Sequence, residues 1–421
     1  MMNHCLRSQF SCTIFRGSSQ IRKLALLSKY PEFIGRVLAE INLSVEVNII
    51  DWLFENDKNL KLCASSFIEY KFQNYPDFMN RILTHRPDLD KKAEILLQGY
   101  VNDHFIENYL KRMDLKILEK YFAKFNSLRI YIDKVENIEW FIENLVKAGK
   151  PILAFNILSH WRNTDNLSVE LLYELFNSVL FTKKELKINT YYFEKVFNLL
   201  YKDLDNESWL EKLIILEWQY VPIFWNIAIS SNFRPKALFK RIRENPKFFA
   251  EIIRFAFKSD DITIEKELEE LTNFKQLSEN AYKLIYIYDE IPYLENCEKL
   301  KEWIKDLKLA CTNYNRNLAC NLVLGKMLAN SPKDENDNIY PHKCIREILE
   351  ENFSKELEES FATKSFNNVG VVSNPKETYK NLAEEYKNYS EALRFEFPNT
   401  SRILKEISKR FYDSSSYWES Y

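Results

Sequence analysis

Apolar residues recur along this chain at the spacing of helix faces, and prolines and short polar clusters interrupt them. The densest example is the segment Leu216–Phe257, which holds two apolar helical runs. Ala237, Leu238 and Ile242 share one face of a helix, and a wider apolar stripe follows within residues 248–257. This segment is therefore predicted to form consecutive helices, each with one buried side.

Prolines mark the predicted helix boundaries. Proline has no N–H and is tolerated at the first position of a helix, so Pro235 and Pro246 are predicted to begin helices, with Asn245 as an N-cap. Pro222 is predicted to end the helix before it, because it restricts the preceding residue. The junction 149–151, Gly-Lys-Pro, is typical of a turn between two helices.

The same alternation continues through most of the sequence and predicts about twenty helices of ordinary length. The run Ala281–Asp289 contains β-branched and aromatic residues and would also suit a strand, but its length and neighbours favour a buried helix. Short turns force neighbouring helices to pack antiparallel. We therefore predict an all-α protein, an α-solenoid of antiparallel helix pairs similar to TPR or HEAT superhelices. No exact sequence repeat is visible, so the pattern alone supports the solenoid.

Three regions are predicted: an irregular N-terminus (1–30), an N-terminal helical-repeat region (31–209) and a C-terminal helical region (210–421). The first region contains five basic residues before any acid, with serines between them. This composition is also typical of a transit peptide, but we interpret the segment as an irregular terminus.

Composition excludes several classes of protein. Only 6 of 421 residues are glycine, which leaves little room for hairpins or glycine-rich phosphate loops. The net charge of −2 gives no global field that would attract nucleic acid or a membrane surface. No apolar run reaches the roughly 18 residues that span a bilayer. The seven cysteines form no regular framework, which indicates reduced, buried thiols in a cytoplasmic protein.

Residues that could carry chemistry are scattered. Gly325-Lys326 lies in a helical run without a partner glycine and does not predict a phosphate site. A zinc site would have to use residues at irregular spacing on separate predicted helices: Cys311, Cys320, His342 and Cys344. Glu217 is interpreted as a charge at a helix end rather than a general acid. We predict no catalytic residue, no metal and no cofactor.

The most specific charged feature is a basic run, which comprises Arg234, Lys236, Lys240, Arg241 and Arg243. Spacings of four and three place the second, third and fifth of these residues on one helix face. A solvated helix face is the simpler interpretation. The alternative is a binding patch for a phosphate backbone or an acidic partner.

The second half of the chain resembles a known group of proteins. The segments LEWQYVPIF, RPKALFKRIRENPKFFAEIIRFAF, LANSPKDENDNIYPHKCIREILEE and LAEEYKNYSEALRFEFPNTSRILKEIS follow one another in the order found in the C-terminal helical regions of large bacterial proteins. Some of those proteins carry nucleotide-binding or other effector domains upstream and resemble defence or signalling proteins. Val371–Pro375 replaces the glycine-rich turn that is common there. The resemblance implies the sensing or scaffolding half of such a system and supplies no catalytic site.

These observations lead to one functional prediction and two alternatives. We predict a non-enzymatic scaffold or recognition module that binds another macromolecule, with a protein as the expected partner and no membrane association. The first alternative is a nucleic-acid-binding helical repeat that uses the basic run. The second is an enzyme whose site is assembled from dispersed residues.

Overall fold

The structure is a computed structural model that describes residues 18–41, 46–127, 130–161, 164–180, 190–228, 231–260, 273–370 and 372–419. Across these residues the chain is almost entirely helical, which confirms the predicted all-α class. Of the predicted irregular N-terminus, residues 1–17 lie outside the described part, and Ser18–Leu27 is helical.

Contacts divide the chain into two units, one up to Leu200 and one from Tyr201 onward. The predicted division into 31–209 and 210–421 stays a prediction. Among the described residues, the first unit contains α1 (Ser18–Leu27), α2 (Pro31–Glu40), α3 (Glu46–Asp51), α4 (Lys58–Asn74), α5 (Pro76–His85), α6 (Leu89–Leu96), α7 (Asp103–Asn108), α8 (Leu115–Lys124), α9 (Val135–Lys147), α10 (Pro151–His160), α11 (Val169–Leu180) and α12 (Thr190–Leu200). A short parallel pairing joins β1 (Val101–Asn102) to β2 (Ile130–Tyr131).

The second unit holds the helices that form the sites described below. They are α13 (Glu207–Ala228), α14 (Lys236–Glu244), α15 (Pro246–Ala256), α16 (Phe274–Ile287), α17 (Cys297–Asn313), α18 (Asn317–Leu328), α19 (Lys343–Glu351), α20 (Lys355–Asn367), α21 (Pro375–Leu393) and α22 (Pro398–Glu419). The run Ala281–Asp289 falls mainly within α16, so its prediction as a helix is confirmed. In the described part of the chain, none of the helices combines the length and hydrophobicity that crossing a bilayer requires.

Most of the predicted helix boundaries at prolines are confirmed. Pro246 occupies the first turn of α15, and the Asn245 side chain caps that helix by accepting from the Phe248 amide at 3.1 Å. Pro235 lies one residue earlier than predicted, as the N-cap of α14. Gly149 adopts a φ of 72° after α9, the left-handed conformation that suits glycine at a helix end.

The prediction that Pro222 ends a helix is wrong, because Pro222 lies inside α13. A proline in a helix interior leaves the carbonyl four residues earlier without its amide donor. Here that carbonyl belongs to Trp218, and it accepts a hydrogen bond at 2.9 Å from the side-chain amide of Asn280 on α16. Asn280 is buried, so this tertiary contact supplies the bond that the proline cannot make.

Distant carboxylates cap several helices whose own N-cap residues cannot. The N-cap of α18 is Arg316, which makes no side-chain cap, and Asp260 Oδ2 accepts from the Asn317 amide at 2.6 Å. At the start of α22, Glu350 accepts from the Asn399 and Thr400 amides at 3.1 and 2.8 Å. These bonds satisfy backbone donors that have no partner within the helix.

A serine ladder fixes the pairing of α21 and α22. Ser401, Ser408 and Ser415 lie seven residues apart on α22, and their hydroxyls donate to the carbonyls of residues 390, 383 and 376 at 2.7, 2.6 and 2.9 Å. Because the partner numbers fall as the serine numbers rise, the two helices are antiparallel. Small side chains along this seam let the helices approach closely.

A glycine sets the contact between α18 and α20. A Cβ atom at Gly325 would lie 2.3 Å from the Leu357 carbonyl oxygen, a distance that real Cβ atoms do not reach. Gly325 therefore permits the close packing of these two helices, both of which line one cleft.

The cysteine prediction is correct for some residues and wrong for others. Cys63, Cys311 and Cys320 are buried free thiols, as expected. Cys297 and Cys344 form a disulfide between the first turns of α17 and α19, although reduced thiols were predicted. The two positions are 47 residues apart in sequence, so spacing gave no indication that they would meet.

The first prediction concerns the Pro222–Asn280 pair. Asn280→Ala leaves the Trp218 carbonyl unpaired in a buried site and should lower the free energy of unfolding by about 1–3 kcal/mol. Pro222→Ala restores the amide that can donate to this carbonyl. In that background Asn280→Ala should therefore lower the free energy of unfolding by a smaller amount. The measurement is a double-mutant cycle by urea denaturation. Equal costs in the two backgrounds would contradict this account.

The second prediction concerns the disulfide. Alkylation of the unreduced, denatured protein, followed by peptide mapping, should modify Cys63, Cys311 and Cys320 and leave Cys297 and Cys344 unmodified. Reduction, or the double substitution Cys297→Ser and Cys344→Ser, should lower the free energy of unfolding by about 2–4 kcal/mol, because the unfolded chain loses a constraint. The double variant serves as the control, since reductant should not change its stability. Modification of all seven cysteines would show that the bond is absent.

Candidate functional site

The basic run predicted as a binding patch lies at the start of α14 and along it. Arg234 pairs with Asp289 at 3.1 Å. The Lys240 ammonium donates to Asp205 at 2.7 Å and to the Leu204 carbonyl at 2.9 Å. These contacts anchor both cations to neighbouring parts of the second unit.

The other three residues of the run also have partners. Arg241 donates to Glu207 and Glu211 at 2.6 and 2.8 Å. Arg243 lies 3.7 Å from a carboxylate oxygen of Glu295, and the Lys236 ammonium lies 5.2 Å from the centroid of the Tyr201 ring.

The structure brings four of the five predicted residues together around a cleft of about 550 Å³, with Arg241 outside it. Most of their charge is matched within the fold, which favours a structural role. The predicted role as a binding patch stays a prediction.

Glu217 lies beneath the start of α14 and is fully buried. Because Pro235 has no side-chain acceptor to offer as N-cap, the first amides of α14 need partners from elsewhere. Glu217 accepts from the Ala237 and Leu238 amides at 3.1 and 2.7 Å, and the Tyr201 hydroxyl donates to the same carboxylate at 2.5 Å. Glu217 therefore lies within α13 and caps the start of α14. It is a charge at a helix end, as predicted, but the end belongs to the neighbouring helix and not to its own.

The environment of Glu217 changes its acidity. Burial raises the pKa of this carboxyl from 4.5 to about 7, and the hydrogen bonds from Tyr201, Leu238 and Ala237 oppose that rise. The effect of burial on the pKa is thus larger than the combined effect of three hydrogen-bond donors. The ionised carboxylate of Glu217 is therefore costly in this site.

A larger groove lies between α20, α21 and α22, with a volume of about 1000 Å³. The seven basic side chains that line it are Lys355, Lys380, Lys387, Arg402, Lys405, Lys409 and Arg410. The serine ladder between α21 and α22 holds two of the three helices that carry them. We call this feature the basic groove.

Several lysines of the basic groove carry uncompensated charge. Within the described residues, Lys355, Lys380, Lys405 and Lys409 form no ion pair, and all four are exposed. By contrast, the two arginines are matched, Arg402 with Glu358 at 3.3 Å and Arg410 with Glu406 at 3.2 Å. The lysines are therefore the groove residues free to meet an external anion.

The groove also contains acids. Its lining includes four carboxylates, Glu358, Glu359, Glu384 and Glu406, which alternate with the lysines. The surface is thus basic on balance but mixed in sign. Such a surface discriminates among anionic partners by the pattern of their charges.

Sequence reasoning missed this groove, although a signal was present. Lys380 and Lys387 lie seven residues apart on α21, and Arg402, Lys405 and Lys409 follow at spacings of three and four on α22. Each set forms a stripe on one helix face. Only the antiparallel packing places the two stripes beside the same groove, so neither one indicated a site alone.

The candidate zinc ligands do not converge. Cys344 is held in the disulfide, and the Nδ1 atom of His342 accepts from the Cys344 amide at 3.3 Å as a cap of α19. Cys311 and Cys320 interact with each other as buried thiols, and this hydrogen bond, together with burial, raises the pKa of Cys311. Among the described residues, no group of three or more metal-ligating side chains forms.

Comparisons with known proteins give no relatives. No protein-family model matches the chain, and neither the curated proteins nor the solved structures contain a significant match. The resemblance to bacterial C-terminal helical regions therefore stays a prediction.

The third prediction concerns Glu217. An acid whose folded-state pKa is raised contributes stability below its unfolded pKa, and that contribution is lost as pH rises through the folded value. Relative to Glu217→Gln, the wild-type protein should therefore lose stability between about pH 4.5 and pH 7, by up to a few kcal/mol, since one pKa unit corresponds to about 1.4 kcal/mol.

The measurement is the free energy of unfolding of both proteins across this pH range. The difference between them removes the contribution of other titrating groups. A difference that is constant with pH would contradict the raised pKa.

Proposed function

We propose that this protein is a non-enzymatic recognition module that binds an acidic segment of a protein partner in the basic groove. The observation that carries the proposal is a set of four exposed lysines around one groove on α20, α21 and α22, none of which forms an ion pair with a described residue. At Lys240 and Arg241, by contrast, carboxylates of the chain itself pair with the cations. The unpaired lysines have no such internal role.

The mixed charge of the groove favours a protein over a nucleic acid. A phosphate backbone carries only negative charge, so Glu359 and Glu384 in the lining would repel it. Single-stranded nucleic acids also need aromatic stacking platforms, and Tyr412 is the aromatic side chain in this lining. A peptide helix can place acidic residues opposite the lysines and basic residues opposite the glutamates.

The proposed α-solenoid is compatible with this function, because stacked helix pairs leave extended grooves for partners. The antiparallel pairing of α21 and α22 supports it for one pair of helices. The resemblance of residues 210–421 to bacterial C-terminal helical regions suggests a sensor role in a defence or signalling system, with the effector on the partner.

The fourth prediction tests the basic groove. An array of peptides with acidic residues at helical spacing, each beside a scrambled version, should reveal peptides that bind the full chain at low salt. Fluorescence anisotropy should then show affinity that falls as salt rises. The double substitution Lys405→Glu and Lys409→Glu should weaken binding at least tenfold, because it replaces two unpaired cations with repelling anions.

Matched controls separate this site from general charge. Lys116→Glu with Lys305→Glu makes the same change in net charge at exposed lysines outside the groove and should leave binding unchanged. Lys240→Glu tests the basic run in the same assay. Tighter binding of a single-stranded RNA or a DNA duplex than of any peptide would favour the nucleic-acid alternative. Equal binding of patterned and scrambled peptides, or none, would overturn the proposal.

A further inference from the structure

A second cleft lies between α16, α18 and α20, with a volume of about 620 Å³. This volume is within the range of about 300–1,000 Å³ that is typical of small-molecule sites. The lining combines an aromatic and apolar side, which includes Phe257, Tyr282, Tyr286 and Leu322, with two lysines. We call it the tyrosine–lysine cleft.

Tyr282 and Tyr286 form the aromatic side. They lie four residues apart on α16 and therefore share one helix face. Both residues are about half exposed, at 51% and 55%. The Tyr286 ring rests against Trp225, with centroids 4.4 Å apart, so its position is supported from α13.

Lys326 is fixed at one wall. Its ammonium donates to the Ile285 and Tyr286 carbonyls at 3.0 and 2.9 Å, where α16 ends, and lies 4.5 Å from the centroid of the Tyr286 ring. An ammonium has three N–H donors, and these two bonds use two of them. One donor is left for a ligand.

Lys364 is the second cation. It lies on α20 and is partly buried, and its ammonium forms no hydrogen bond or ion pair within the described residues. Asp289, the nearby acid, is already engaged by Arg234 at 3.1 Å. Glu359 is the acid of the cleft lining itself.

The two lysines influence each other. Burial and, to a smaller extent, the charge of Lys364 lower the pKa of Lys326 to about 7, against the opposing charge of Asp289. Burial also lowers the pKa of Lys364, while Asp289 raises it and Arg234 lowers it. Two desolvated cations that repel each other would be stabilised by an anion bound between them.

We propose that the tyrosine–lysine cleft binds a small molecule that carries an oxyanion, a carboxylate or a phosphate, on a planar aromatic body. Lys364 and the remaining donor of Lys326 bind the oxyanion, and Tyr282 and Tyr286 contact the aromatic body. The cleft and the basic groove use different lysines, so this proposal is independent of the proposed function.

The fifth prediction tests this site by isothermal titration calorimetry on the full chain. The probes are adenosine 5′-monophosphate for the phosphate and indole-3-acetate for the carboxylate, with adenosine and indole as their neutral counterparts. At least one anionic probe should bind, and its neutral counterpart should bind at least tenfold more weakly. The probe that binds identifies the oxyanion.

Variants locate the site. Lys364→Met should weaken binding at least tenfold, whereas Lys305→Met, which removes an exposed lysine elsewhere, should not change it. Lys326→Met also removes the partner of two carbonyls, so Lys364→Met is the decisive variant. Lys405→Glu with Lys409→Glu should leave probe binding intact, which distinguishes this cleft from the basic groove.

Dependence on pH gives a separate readout. Because the charged form of Lys326 binds the anion and its pKa is about 7, affinity for indole-3-acetate, whose carboxylate stays ionised throughout, should be about tenfold higher at pH 6 than at pH 8. Absence of binding by both anionic probes at millimolar concentration would overturn the proposal. Equal binding of neutral and anionic probes, or binding unaffected by Lys364→Met, would also overturn it.

Discussion

The second unit depends on hydrogen bonds that distant side chains make to helix ends. Every helix leaves amides at its start and carbonyls at its end without internal partners, and burying them unpaired is costly. An N-cap residue such as Pro235 offers no side-chain acceptor, so the first amides of the helix need another partner. Glu217 accepts from these amides in α14, Asp260 in α18 and Glu350 in α22. The same logic applies within α13, where Asn280 completes the carbonyl that Pro222 leaves open.

These bonds also explain how charge is distributed. Many acids and bases of the second unit are engaged by the fold, either at helix ends or in ion pairs such as that of Arg241 with Glu207. In the part of the chain that the structure describes, the basic groove is distinguished by the clustering of four lysines without ion pairs in one lining. Lys364 differs from other such lysines because it is partly buried and lines a cleft. Both proposals depend on these residues. The basic run, although denser in sequence, is largely matched by carboxylates.

Part of the candidate site is indicated by the amino-acid sequence alone. The lysine stripes of α21 and α22 follow helical spacing, and the serines at 401, 408 and 415 follow it too. Spacing along one helix cannot reveal which stripe of another helix lies opposite. The sequence reasoning therefore selected the contiguous run at 234–243 and overlooked lysines that are spread over residues 355–409. The disulfide between Cys297 and Cys344 was not predicted for the same reason, because spacing along the chain does not show which helices lie side by side.

The amino-acid sequence by itself determined that the chain is helical and where most helices begin. Apolar spacing, prolines such as Pro246 and caps such as Asn245 act within a few residues, so they can be read directly. Tertiary structure decided which distant groups complete the helix ends, why α13 continues through Pro222, and which lysines remain unpaired. Those outcomes depend on contacts between residues far apart in the chain, such as Glu217 and Leu238, 21 residues apart, or Trp218 and Asn280, 62 residues apart. Local patterns carry no information about such pairs, because the packing of helices selects them.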